Sequence, residues 1–153
     1  MKQLLDGSNA ASFGLLPPEH EEMPNGETRD RLMGVGGYGY ILTRAGATGA
    51  WQNAHLHQVR ETYIVQQDWM VFVDWHDGVA RWRLFNQGDV VTTEPGVAHN
   101  IYLVTGAVIH TVKHGNTVGK DWWYPAPELD AVTKSVTDEH DIRERALPTV
   151  VPS

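Results

Sequence analysis

The sequence predicts an all-β protein, a sandwich or barrel built from many short strands. Between residues 35 and about 113, runs rich in Val, Ile, Tyr, Trp and Thr alternate with turn signals such as Asp77-Gly78 and Pro95-Gly96. Short strands at near-even spacing are typical of these two architectures. The length of 153 residues suits one compact domain, and the 41% of hydrophobic residues is enough to bury a sizeable core.

Three segments are predicted along the chain. Residues 1–33 carry prolines, glycines and acidic residues with little periodicity, which predicts an extended N-terminal arm. Residues 34–115 form the β-barrel core. Residues 116–153 form a C-terminal extension, in which weakly helical stretches around 128–134 and 138–146 predict short helices packed outside the barrel.

One hairpin is predicted in detail, because Asp77-Gly78 favours a two-residue type I′ turn with positive φ at both residues. In the resulting register one face pairs Asp74 with Arg81 and Phe72 with Arg83, which predicts a mixed, partly solvated surface. The opposite face is entirely apolar and carries Val71, Val73, Trp75, Ala80, Trp82 and Leu84.

Composition excludes several classes of partner and site. Acidic residues number 19 against 12 basic ones, and the net charge of −7 opposes binding to nucleic acid or to an anionic membrane. The chain has no cysteine, so a metal must be held by nitrogen and oxygen. The start of the sequence lacks a signal-type apolar run, and the longest apolar stretch, residues 70–73, is far shorter than a membrane span. We therefore expect a cytoplasmic protein.

Four side chains form the candidate metal site. His55 and His57 are two residues apart and project from one face of a strand. The even spacing to Glu61 keeps its carboxylate on that side if the strand continues, and a turn in between is the alternative route to the same placement. His99 follows the Pro95-Gly96 turn at the start of another apolar run. Three imidazoles and a carboxylate that converge inside a barrel are ligands for a divalent ion such as Fe(II), Mn(II), Ni(II) or Zn(II).

These residues resemble the first motif of the cupin superfamily. That motif is a glycine, five residues, His-x-His, three or four residues, a glutamate, six residues and a glycine. Gly49, His55, His57 and Glu61 match it in register, whereas Asp68 stands where the closing glycine belongs.

The second cupin motif is matched by Gly88, Gly96 and His99. Glu94 stands in the proline position of this motif, with Pro95 beside it, and Leu103 replaces the asparagine. The resemblance implies a single-domain cupin with a double-stranded β-helix, or jelly-roll, fold. It also implies that the four ligand positions bind metal and that the protein is a homodimer.

Neighbours of the site are candidates for substrate contact. Trp51 and Asn53 share the face of the strand histidines, so they are expected to line a substrate pocket, with core packing as the alternative for Trp51. Tyr63 lies two residues after Glu61, on the same face of a strand, and is a candidate general acid. If Thr105-Gly106 is a two-residue hairpin loop, His110 faces inward with His99 and is a candidate proton-transfer base. The alternative for both Tyr63 and His110 is a purely structural role in packing.

Basic side chains are also candidates, for a phosphate or carboxylate group of the substrate. The hairpin register favours surface pairing for two of them, Arg81 and Arg83. The set comprises Arg44, Arg60, Arg81, Arg83 and Lys113.

Three functions remain open at this point. The first is a metal-dependent isomerase or epimerase that acts on a small polyhydroxy, carbohydrate-type substrate, because a metal with open coordination positions polarises a carbonyl and acidifies the adjacent C–H or O–H. The second is an Fe(II)-dependent dioxygenase or another metal-dependent lyase, since the same ligands suit both chemistries. The third is a metal-containing cupin that binds a small molecule without turnover.

Overall fold

The computed structural model of the chain describes residues 8–115 and 123–148. Within these ranges the chain forms strands, two α-helices and a short 3₁₀ helix at Ala10–Phe13. In chain order the elements are β1 (Glu19–Glu22), β2 (Thr28–Met33), β3 (Gly39–Arg44), β4 (Ala50–Trp51), β5 (His55–His57), β6 (Arg60–Gln67), β7 (Trp69–His76), β8 (Val79–Asn86), β9 (Val90–Thr92), β10 (His99–Leu103), β11 (Val108–His114), β12 (Trp123–Pro125), α1 (Pro127–Lys134) and α2 (Glu139–Ala146).

Two antiparallel sheets make up the barrel. The first sheet has the strand order β1-β2-β3-β11-β6-β9, and the second has the order β12-β5-β10-β7-β8, with β4 also paired to β10. Many neighbouring strands are distant in sequence, so the chain crosses repeatedly from one sheet to the other. The all-β jelly-roll class predicted from the sequence is confirmed.

The structure has three layers, which are the two sheets and the pair of helices. Between the sheets, Tyr63 and Ile109 of the first sheet face Phe72 and Ile101 of the second, all of them buried. The other face of the second sheet is covered by the helices, since α1 packs on β10 and α2 packs on β7 and β8. The helices therefore shield one sheet only.

The Asp77-Gly78 hairpin is confirmed in register and in turn geometry. Asp77 and Gly78 have φ of 50° and 78°, as a type I′ turn requires, and Asp74 lies opposite Arg81. The apolar face is the one that α2 covers. The mixed face is less exposed than predicted, because it turns into the barrel, where Phe72 and Asp74 are buried.

The segment predicted as an arm contributes two strands to the first sheet. β1 pairs with β2, and β2 pairs with β3. Polar contacts replace apolar alternation here: Asp30 accepts hydrogen bonds from His20 Nδ1 and from Arg44 Nη1, each at 2.7 Å. The domain boundaries at residues 33 and 115 stay a prediction.

The two C-terminal helices are confirmed close to their predicted positions. Pro127 begins α1, where its missing N–H costs nothing, and Asp138 caps α2 by accepting a hydrogen bond from Asp141 N at 3.0 Å. Neither helix of the described part of the chain is long and apolar enough to cross a membrane.

We expect Ile142→Ala to lower the free energy of unfolding by about 2–5 kcal/mol, because the side chain is fully buried where α2 meets the second sheet and its removal leaves a cavity. Urea denaturation followed by circular dichroism measures this. His140→Ala, an exposed position on the same helix, is the matched control and should change stability by less than about 0.5 kcal/mol. Equal stability of the two variants would contradict the packing described here.

A second stability prediction concerns pH. Burial alone would raise the pKa of Asp74, but the hydrogen bond from Arg81 and the charges of Arg83 and Arg81 outweigh it and hold the pKa below its ordinary value of 3.8. The ionised carboxylate therefore stabilises the fold above that value, and the stabilisation is lost as pH falls through the lower folded value.

We expect the difference in unfolding free energy between the wild type and Asp74→Asn to be constant at neutral pH and to shrink below about pH 4. Denaturant titrations of both proteins over this range give the difference directly. A difference that grows on acidification would show that the sign is wrong.

Candidate metal centre

The four predicted ligands meet between the two sheets. β5 of the second sheet carries His55 and His57, and β10 of the same sheet carries His99, which lies directly opposite His55. Glu61 comes from β6 of the first sheet. The Pro-Gly turn places His99, because Gly96 takes a positive φ of 77° and its N–H donates to His57 O at 2.8 Å. The two motifs are thus fastened to each other by a backbone hydrogen bond.

Glu61 is at the centre of this cluster. Its Oε1 lies 3.4 Å from His57 Nε2, and its Oε2 lies 3.4 Å from His99 Nε2. One ligand atom each from His55, His57 and Glu61 lies within 4.8 Å of the others, and the rings of His55 and His99 are 4.7 Å apart between centroids. This nitrogen and oxygen donor set can hold a divalent ion.

Neighbouring carbonyls orient the imidazoles. His55 Nδ1 donates to Asn53 O at 2.6 Å, and His99 Nδ1 donates to Val97 O at 3.1 Å. Such contacts turn the other ring nitrogen of each histidine to the cluster, as is usual for metal-binding histidines. Glu61 is fixed through its backbone, because its N–H donates to Thr93 Oγ1 at 2.9 Å.

Burial and charge set the protonation of the ligands. Burial, with the neighbouring charge of His99, lowers the pKa of His55 to about 3, so its imidazole is neutral at pH 7. Burial alone would raise the pKa of Glu61, but the hydrogen bond with His99 and the charges of Lys113 and His57 outweigh it and hold this pKa well below its usual range. Both groups are therefore in the form that binds a cation.

Tyr63 contacts this cluster directly. Its hydroxyl donates to Glu61 Oε2 at 2.6 Å and lies 3.3 Å from His99 Nε2. Burial and the adjacent Glu61 carboxylate raise the pKa of Tyr63 well above its usual value, so the phenol keeps its proton.

A cavity of about 350 Å³ opens beside the cluster. Trp51 and Asn53 both border it. The side chain of Asn53 accepts a hydrogen bond from Lys134 Nζ at 2.7 Å, and the indole of Trp51 donates to Val136 O at 2.9 Å. The lining residues are Met23, Pro24, Asn25, Arg29, Arg31, Ile41, Thr43, Trp51, Gln52, Asn53, His55, His57, Glu61, Tyr63, Thr111, Lys113 and Trp123.

The predicted inward orientation of His110 is wrong. That prediction treated Thr105-Gly106 as a hairpin loop, but β10 and β11 belong to different sheets and do not pair. On β11 the inward positions are Thr111 and Lys113, opposite Tyr63 and Glu61. His110 therefore points to the outer face of the first sheet, where it bonds to the hydroxyl of Tyr40 at 2.7 Å and to the side chain of Gln66.

Three basic side chains face the cavity, and sequence reasoning found only one of them. Lys113 Nζ lies 3.3 Å from Glu61 Oε1. Arg29 and Arg31 come from β2, in the segment predicted as an arm. The spacing of two residues between them was the available signal, since it places both on one face of a strand.

The departures from the cupin motifs have local explanations. Asp68 replaces a glycine, and it takes the left-handed conformation with φ of 60°, which aspartate tolerates better than most residues. Leu103 replaces an asparagine and is fully buried, opposite Met70. Glu94, in the proline position, pairs with Arg60 at 3.3 Å. None of these three residues is among the contacts of Glu61, so the departures leave the candidate ligand cluster intact.

Comparison with known proteins was made for sequence and for structure. The sequence matches no protein-family model and no curated protein. Similar solved structures include a variant of oxalate decarboxylase from Bacillus subtilis, with 14% identity, a TM-score of 0.58 and coverage of 80% of this chain and 36% of that chain. Another structure of this enzyme, studied for its Mn(II) centres, has the same identity, coverage and TM-score of 0.58.

A hazelnut protein has a similar structure too. Vicilin from hazelnut, Corylus avellana, is 7% identical with a TM-score of 0.63, and the match covers 84% of this chain and 50% of that chain. The chain thus spans only 36% of the oxalate decarboxylase and 50% of the vicilin. At these identities the likeness shows the fold alone.

We expect His57→Ala to weaken binding of a divalent ion at least about 100-fold, because a buried ligand of the cluster is lost, while the β-type circular dichroism spectrum is retained. Metal content after dialysis measures this. His110→Ala, on the outer face, is the matched control and should keep the full metal content. Unchanged stoichiometry in His57→Ala would contradict the ligand assignment.

Proposed function

Because this chain has the fold of the cupin superfamily, we propose that it is a metal-dependent enzyme that isomerises or epimerises a small polyhydroxy, sugar-type substrate. The observation that carries the proposal is the opening of the buried His-His-Glu cluster into a cavity of about 350 Å³. Most side chains of the cavity wall are polar, which suits a substrate rich in hydroxyl groups.

The residues that would hold the ion are His55, His57, Glu61 and His99. When bound, a divalent ion polarises a substrate carbonyl and acidifies the neighbouring C–H or O–H. The fit rests on the donor set itself: the neutral imidazole of His55, the imidazole of His57 and the ionised, buried carboxylate of Glu61 lie within reach of one another. The metal identity among Fe, Mn, Ni and Zn is left to analysis of the purified protein.

The protein's own proton carriers at the cavity are Tyr63 and Lys113. We assign Tyr63 as the acid–base group that gives one proton to the substrate and takes one back, because its hydroxyl lies at the ligand cluster, 2.6 Å from Glu61 Oε2, and carries a proton at rest. Lys113 Nζ lies 3.3 Å from Glu61 Oε1 and balances the buried negative charge. Thr43 and Gln52 orient substrate hydroxyl groups from the cavity wall. The substrate pocket also includes Asn53 and Trp51.

An Fe(II)-dependent dioxygenase is the second candidate. It is favoured by the outward position of His110, which removes the histidine base from the cavity. Among the described lining residues, Tyr63 and Lys113 are then the proton carriers that are not metal ligands. Oxygenase chemistry, which needs no dedicated general base, is compatible with these two proton carriers.

Metal analysis and two assays separate the candidates. Turnover of polyhydroxy carbonyl compounds without oxygen, with Mn, Ni or Zn bound, would support the isomerase. Iron together with substrate-dependent oxygen consumption would support the dioxygenase and contradict the isomerase. Ligand binding without turnover in either assay would indicate a binding protein.

For the isomerase we expect Tyr63→Phe to lower kcat by about 10²–10⁴-fold with little change in KM or in metal content, because the acid is lost while the ligands remain. Steady-state kinetics with metal analysis of the same samples measures this. Tyr38→Phe, an exposed tyrosine that bonds to Gly14 O, is the matched control. Metal loss in parallel with kcat would instead show that Tyr63 only positions Glu61.

A further inference from the structure

We propose that the substrate carries a negatively charged oxygen group, a carboxylate or a phosphate, and that Arg29 and Arg31 of β2 bind it. The proposal rests on the proposed function, since it names the substrate class of the same cavity. It assigns a role in substrate specificity to Arg29 and Arg31, which lie at the end of the cavity formed by β2.

The register of the first sheet places these arginines in line with the candidate acid. Arg31 lies opposite Ile41 of β3, Ile41 opposite Thr111 of β11, and Thr111 opposite Tyr63 of β6. The row runs along the inner face, and all its members line the cavity. Three strand spacings, roughly 14 Å along the sheet, separate the backbones of β2 and β6. A substrate that reaches from the metal ligands toward β2 therefore meets the guanidinium groups.

Arg29 has a hydrogen-bond donor to spare. Its Nη2 donates to Glu27 Oε2 at 2.9 Å, whereas its Nε is buried and has no acceptor among the described residues. A buried donor without a partner costs free energy, and a ligand oxygen at this point would remove the cost. Arginine suits the task, because its planar N–H groups bind carboxylate and phosphate oxygens in pairs.

The charge of the cavity wall favours an anion. Arg29, Arg31 and Lys113 line the cavity, and Glu61 is the carboxylate among the described lining residues. Glu27 and Glu21 pair with the two arginines but do not line the cavity, so the wall itself presents more cationic than anionic groups, in a chain whose net charge is −7. A divalent ion bound by the cluster would add to it.

The partners of the two arginines leave room for a ligand. Arg31 Nη2 pairs with Glu21 Oε2 at 2.9 Å, and Glu21 is about half exposed, so water already competes for this contact. Glu27 is buried and also accepts from Gln52 Nε2 at 3.1 Å, so it does not depend on Arg29 alone.

The arginines that the sequence indicated lie outside this cavity, and each pairs with a carboxylate elsewhere. Arg60 contacts Glu94 at 3.3 Å, and Arg81 and Arg83 both contact Asp74. Arg44 contacts Asp30 at 2.7 Å. They supply matched controls for a binding experiment.

Three probes test the proposal with the metal-loaded protein by titration calorimetry. Gluconate and glucitol share one polyhydroxy chain and differ in the carboxylate, and glucose 6-phosphate carries a phosphate instead. We expect gluconate or glucose 6-phosphate to bind at least about tenfold more tightly than glucitol, and the tighter of the two identifies the anionic group. Equal affinity for all three probes, or binding of none, would overturn the proposal.

Variants locate the anion site. Because Arg29→Gln alone would leave Glu27 buried without its cation, we use the double variant Glu27→Gln/Arg29→Gln, and separately Arg31→Gln. Each should lose about tenfold in affinity for the charged probe, keep the affinity for glucitol and keep its metal content. Arg60→Gln is the control and should bind as the wild type does. Wild-type affinity of both cavity variants for the charged probe would overturn the assignment.

The same titrations on chelator-treated protein separate this inference from the proposed function. A preference for the charged probe that persists without metal, and that is lost in the cavity variants, supports the anion site even if the protein proves inactive. Loss of the preference in the wild type on metal removal would show that the metal ligands, and not the arginines, recognise the anion.

Discussion

The structure depends on one buried carboxylate. Glu61 is shielded from water between the two sheets, where an ionised group is unfavourable unless it is paired and hydrogen-bonded. Its oxygens contact imidazoles from the second sheet, a phenol from its own strand and an ammonium group from the neighbouring strand β11. Both sheets must therefore be aligned at this end of the barrel for the charge to be tolerated, and the same alignment brings the candidate metal ligands together.

Much of this arrangement was predictable from short-range rules. Strand parity places His55 and His57 on one side of β5, and the Asp77-Gly78 turn predicts the register of the β7–β8 hairpin residue by residue. Glu61 reaches the histidines by another route, since β5 ends at His57 and Glu61 lies on β6 of the other sheet. These rules act within a few residues. The orientation of His110 depended instead on which sheet β11 joins, a choice made by long-range packing that local patterns do not contain.

The cavity arginines were missed for a related reason. β2 reads Thr-Arg-Asp-Arg-Leu-Met, which lacks apolar alternation because its inward side chains face a polar cavity and not a core. Prolines, glycines and acidic residues around it favoured a solvated arm. Hydropathy patterns detect strand faces that pack against an apolar core. A strand face that borders a polar cavity follows the same period of two, with polar residues at the inward positions.

The hydrogen bond from Gly96 to His57 joins the turn before β10 to the end of β5, two segments that are far apart in the chain. An ion held by His57 and His99 would connect the same two segments a second time, and the unfolded chain cannot form this connection. Binding of the ion would then stabilise the folded state in step with the free ion concentration. In a cell short of this ion, the protein would be less stable and more readily degraded.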